Sequence, residues 1–95
     1  MQKIDSLPSE KSGFWFYAGL TLCPVKIIHH SVLFGTYDPT DPPEFANDQI
    51  RDCYYVRYLP PGNHNSWQDG GVALSMNEAI FLANRKLGPA MQWNT

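Results

Sequence analysis

The sequence predicts an α+β fold: a small antiparallel sheet of three to five strands with one C-terminal helix packed on one face. Three observations predict it. Two runs, around residues 14–23 and 52–59, alternate side chains between two faces with a period of two. Prolines and glycines punctuate the rest of the chain. A single segment near the C-terminus, about residues 76–87, carries helix start and stop signals that agree. Strands followed by a lone helix, without β-α alternation, point to an antiparallel sheet. With 95 residues, no internal repeat and no linker, the chain is expected to form one domain.

Residues 1–12 are polar and read as a loosely ordered lead-in. From Gly13, the residues Phe14, Phe16, Ala18, Leu20 and Leu22 fall on one face of an extended segment, and Trp15, Tyr17, Gly19, Thr21 and Cys23 on the other. Pro24 interrupts the run, so a second strand is expected over 25–34, joined by a reversal at Cys23-Pro24 or by a bend in one long strand. Gly35 opens a connection to Asp48 that contains Pro39, Pro42 and Pro43, with room for one helical turn around Phe45, which is expected to pin it to the body.

The third strand, 52–59, places Tyr54, Val56 and Tyr58 on one face and Cys53, Tyr55, Arg57 and Leu59 on the other. A turn-rich loop follows at 60–65, then a short strand at 66–68, a turn at Asp69-Gly70-Gly71, and Val72-Ala73-Leu74 leading to the helix. Ser75 and Glu78 form a capping box, with Leu74 placed to staple onto Ala79. Met76, Ile80, Ala83 and Leu87 make the apolar stripe, and Phe81 lies off it. Gly88 is expected to supply a left-handed residue at the end, and Pro89 forbids continuation. Met91 and Trp93 are expected on an edge strand or a packed tail.

Composition narrows the function classes. The formal charge of −2, with no run of Lys or Arg, disfavours a duplex nucleic-acid partner. Asp38, Asp41, Glu44, Asp48 and Asp52 stand against Arg51 alone, an acidic region suited to a basic partner. No apolar run approaches a membrane span and the N-terminus lacks a signal-peptide core, so a cytoplasmic protein is expected. Cys23 and Cys53 are expected as buried free thiols.

Chemical motifs are weak. His29 and His30, adjacent in a strand, face opposite ways and cannot chelate one ion. Cys53 beside a histidine would suit a small thiol enzyme, but a buried cysteine is the plainer reading. The 38–44 acids lack EF-hand spacing, and Gly70-Gly71 lacks the residues of a phosphate cradle. No cofactor and no metal site are expected. What remains is an intracellular protein-binding module, in its sharpest form an inhibitor or immunity-type protein of bacterial or phage kind that blocks a larger protein. Its expected contact residues are Tyr37, Asp38, Asp41, Glu44 and Phe45 in the long loop, and His64 and Trp67 in the second loop. The alternatives are a homodimer that buries an aromatic sheet face, and an enzyme using Cys53 with a histidine.

Overall fold

In the computed structural model, residues 4–18, 21–62, 66–88 and 91–94 are described. After a 3-10 turn at Ile4–Ser6 come β1 (Lys11–Tyr17), β2 (Thr21–Leu33), a one-turn helix α1 (Pro43–Ala46), β3 (Gln49–Tyr58), β4 (Gln68–Ala73), α2 (Met76–Leu87) and β5 (Gln92–Asn94). The strands form one antiparallel sheet in the order β4-β3-β2-β1-β5, with α2 on one face. The expected α+β class and C-terminal helix are both present.

The helix position follows from this order. β4 and β5 are the two edges, four strand spacings or roughly 19 Å apart. The 12 residues of α2 span roughly 18 Å at the helical rise per residue, and the helix packs on β4, β3 and β1. Ala79, Ala83 and Leu87 are its buried positions, and they meet Trp15, Cys23, Val25, Ile27, Val56 and Ala73. Alanines at the contact let the helix backbone come close to the sheet. Phe81 is 62 % exposed, on the solvent side as its spacing requires.

The start of α2 is capped as its sequence dictates: the Glu78 N–H donates to the Ser75 hydroxyl at 3.2 Å. Its end differs. Gly88 is extended (φ −69°, ψ −168°) rather than left-handed. The following residue is Pro89, whose ring drives its predecessor into extended backbone. Leu74 remains exposed instead of forming a staple.

Three further expectations change. The first two strands pair from Tyr17 and Thr21 onward, so the chain reverses before Thr21 and not at Pro24, and Ala18 takes a left-handed φ of 53°. Pro24 lies within β2. Its carbonyl accepts from Leu59 N–H at 3.1 Å. A residue's N–H and C=O point to the same neighbour in an antiparallel ladder, so the absent N–H falls at the last rung beyond Tyr58 and no interior bond is lost. Gly70 and Gly71 do not turn the chain. They form a bulge opposite Val56 in a continuous β4, with Gly71 at φ 112°. A Cβ on Gly70 would come within 2.8 Å of Val56 Cγ1. Met91 and Trp93 pack against the helix-side core, and β5 is the expected edge strand.

The sheet face opposite α2 is covered largely by the chain itself. Lys26, Ile28, Cys53, Tyr55 and Leu59 are all buried. Within the segment read as a lead-in, Asp5 is anchored to this face. The aromatic residues Trp15 and Tyr54 belong to the helix side. Among the described residues, no helix is long and apolar enough to cross a membrane.

Candidate functional site

β2 and β3 continue past both neighbours. β1 pairs only as far as Ile27 and β4 only as far as Tyr54, so 28–33 and 49–53 form a two-stranded arm. Arg51 and Asp52 stand together opposite Ser31 in a bulge. Ile50, on the arm, is 88 % exposed.

The long loop at the end of the arm is held by its own polar groups. Thr36 N–H donates to Phe45 O and Tyr37 N–H to Ala46 O, each at 2.9 Å. The Gly35 N–H donates to Asp48 Oδ1 at 2.9 Å, and the Tyr37 hydroxyl donates to the same oxygen. Asp41 accepts from the Thr36 hydroxyl at 2.7 Å; Asp38 accepts from both the amide and the hydroxyl of Thr40. Gly35 is required here, because a Cβ would overlap the Ala46 carbonyl. Tyr37 holds a φ of 57°, a left-handed conformation that disfavours a bulky side chain. Its hydroxyl bond to Asp48 and its amide bond to Ala46 fix it there. Strain of this kind, held by surrounding bonds, marks positions whose side-chain direction matters.

Tyr55 bends the loop back over the sheet. Its hydroxyl accepts from Phe34 N–H and donates to Val32 O, both at 3.0 Å, and its ring lies 5.9 Å from that of Phe34. Burial is the main cause that pushes this hydroxyl up to about 12. The result is a cavity of about 490 Å³ lined by Ile4, Phe34, Gly35, Tyr37, Tyr55, Arg57 and Asp69. That volume suits a ligand or a protruding side chain.

The polar end of the cavity is balanced internally. Arg57 makes a two-pronged bond to Asp5 (2.9 and 3.0 Å), donates to Trp67 O at 3.1 Å and lies 3.9 Å from Asp69. Its cross-strand neighbour Lys26 donates to Asp5 O at 3.0 Å and sits 4.1 Å from the centre of the Trp67 ring. Burial lowers the Lys26 pKa, partly offset by Asp5. Two cations thus face two carboxylates. The loop is different: from Ile27 to Ile50 there are four acids (Asp38, Asp41, Glu44, Asp48) and no Lys or Arg. The hydrogen bonds from Thr40 keep Asp38 below the usual carboxylate range, and those from Tyr37 and Gly35 do the same for Asp48.

The residues singled out in the sequence are therefore dispersed. Tyr37 lines the cavity, and Asp38, Asp41 and Glu44 share its loop. Phe45 does not pin the loop; it is 62 % exposed, and the backbone bonds named above do that work. Trp67 is half-buried under Lys26, and His64 lies outside the described residues. Phe34, Tyr55, Arg57 and Asp69 were missed as cavity residues. Strand alternation placed Tyr55 and Arg57 on one face, but no local signal brings Phe34, Asp69 and Ile4 to it.

His29, His30 and the two cysteines each have a neighbouring polar partner. His29 faces away from His30 and lies 3.2 Å from Asp52. His30 Nδ1 accepts from Val32 N–H at 2.9 Å. The Cys53 thiol is directed at the carbonyls of Val32 (3.3 Å) and His30 (3.6 Å), and burial pushes its pKa up. Such a thiol is a poor nucleophile. Both cysteines are free and buried. Among the described residues, no three His, Cys, Asp or Glu side chains converge as metal ligands. The chain matches no family model, no curated protein and no solved structure.

Proposed function

We propose that the chain is a small protein-binding module whose contact surface is the cavity and the loop that walls it. The observation that carries this reading is Tyr37: a 65 % exposed aromatic ring in a strained backbone conformation, locked by Asp48 at the rim of an apolar cavity. Tyrosines in such settings supply binding area with little entropy to lose, and a loop already ordered by its own bonds docks cheaply. The sharper version is an inhibitor or immunity-type protein, working inside the cell, that seats this surface on a larger protein and blocks it. The raised pKa of Cys53 and the engagement of its thiol with backbone carbonyls favour binding over thiol catalysis.

A second copy is a further reading, favoured by one observation. Among the described residues, β3 has no strand partner over 49–53 on the side away from β2, and Ile50 is bare there. Edge pairing would cover it.

Affinity capture with the tagged chain tests the main reading. One stoichiometric protein partner should be recovered by wild type and by Cys53→Ala, and lost with Tyr37→Asn, since asparagine tolerates the left-handed backbone. Loss of the partner in Cys53→Ala with the fold intact, or its retention in Tyr37→Asn, would count against this surface. A chain recovered alone as a dimer would favour the second reading.

A further inference from the structure

Resting on the binding reading, we infer that the cavity takes a large apolar side chain of a partner protein whose flanking residues are basic. Two independent features of the surface carry it. The cavity wall is formed mostly by Ile4, Phe34, Tyr37 and Tyr55, so its occupant is apolar or aromatic. Arg57 does not make it an anion site, because Asp5 already occupies two of the guanidinium donors and Asp69 lies beside a third.

The charge around the mouth then selects what flanks the anchor. The loop that contributes Phe34, Gly35 and Tyr37 bears four carboxylates with no cation between Ile27 and Ile50. Asp38 and Asp48 are held ionised by hydrogen bonds. A basic segment meets complementary potential, and an acidic segment or nucleic-acid backbone meets repulsion. Exposed Phe45, at 62 %, extends the apolar surface beyond the cavity, as an extended protein segment would need.

This chain presents a surface of the same kind on its own α2. Phe81 is exposed with the Arg85 guanidinium 5.8 Å from its ring, and Lys86 follows. A second copy is therefore an occupant that the experiment must separate from a foreign partner.

The probes are three labelled peptides: a tryptophan flanked by two arginines on each side, the same peptide with alanine for tryptophan, and the same with glutamates for arginines. Fluorescence anisotropy with the full chain should show the first binding about tenfold or more tighter than either of the others, with affinity falling as salt rises. Tyr37→Asn and Glu44→Lys should each weaken it by about fivefold or more while far-UV circular dichroism stays unchanged. Equal binding of the three peptides, no binding of any, or indifference to both variants overturns the inference. So does light scattering that shows self-association abolished by Glu44→Lys with no peptide bound, which would assign the cavity to a second copy. Failure here alongside a captured partner that is lost only in Tyr37→Asn would leave the binding reading standing and remove the basic occupant.

Discussion

Replacing Tyr55 by phenylalanine keeps the ring and removes one oxygen, so its effect can be worked from the hydrogen bonds. The hydroxyl accepts from Phe34 N–H and donates to Val32 O. Val32 O retains the Cys53 thiol at 3.3 Å, but Phe34 N–H loses its partner. One orphaned amide at a partly buried site sets the loss at about 1.5 kcal/mol near neutral pH. The hydroxyl also imposes a pH dependence. Its folded pKa, about 12, lies above the unfolded tyrosine value. Above pH 10 the unfolded chain releases this proton first, so the folded state binds more protons and wild-type stability falls as pH rises toward 12. By pH 11 the tyrosine has lost about 1.4 kcal/mol relative to pH 8. Every other titration is common to the two proteins, so the difference isolates Tyr55. Urea unfolding followed by tryptophan fluorescence from pH 8 to 11 should show wild type ahead by about 1.5 kcal/mol at first and near parity at the end. A gap that stays constant across this range would refute the burial of the hydroxyl. Equal stability at pH 8 would refute its role in holding Phe34.

Asp5→Ala should destabilise by about 2 kcal/mol, below the value for a fully buried pair because the Asp5 side chain is 35 % exposed. A cycle with Arg57→Met, read by urea unfolding, should return a coupling of about 1 kcal/mol or more, and additivity would deny the contact. Gly13→Val would drive a side chain into the backbone of β5, where even a Cβ meets Trp93 Cα at 2.9 Å. Trp93 fluorescence should shift to the red as the strand detaches, and an unshifted spectrum would show that the edge can absorb the bulk.

The helix was legible because its signals are local: Ser75, Glu78 and the apolar spacing act within a few residues of one another. Even there, Gly88 shows that a neighbouring proline overrides the usual left-handed ending. The strands were legible as alternation, but not their joints. The sequence between Tyr17 and Thr21 holds no Asn-Gly or Asp-Gly dipeptide to mark the reversal, and alternation continues past it because Trp15 and Cys23 pair on the same face. Gly70-Gly71 reads as a turn and serves as a bulge, since the glycine pair fits both. The cavity was the least legible. The bond between Asp5 and Arg57 joins residues 52 apart, and no periodicity reports it. The acids of the long loop were visible; that three of them, Asp38, Asp41 and Asp48, are spent on ordering the loop was not.

The order β4-β3-β2-β1 pairs each strand with its neighbour in the chain, and only β5 lies across the sheet from the strand before it. A ribosome therefore releases everything needed for the four-stranded meander before residues 76–94 emerge. During that interval Trp15, Val25, Ile27 and Val56 form an apolar surface whose cover by α2 and β5 has not yet emerged. The nascent chain is thus prone to aggregate while residues 76–94 are still inside the ribosome, and a chaperone that shields one sheet face until they emerge would address that interval.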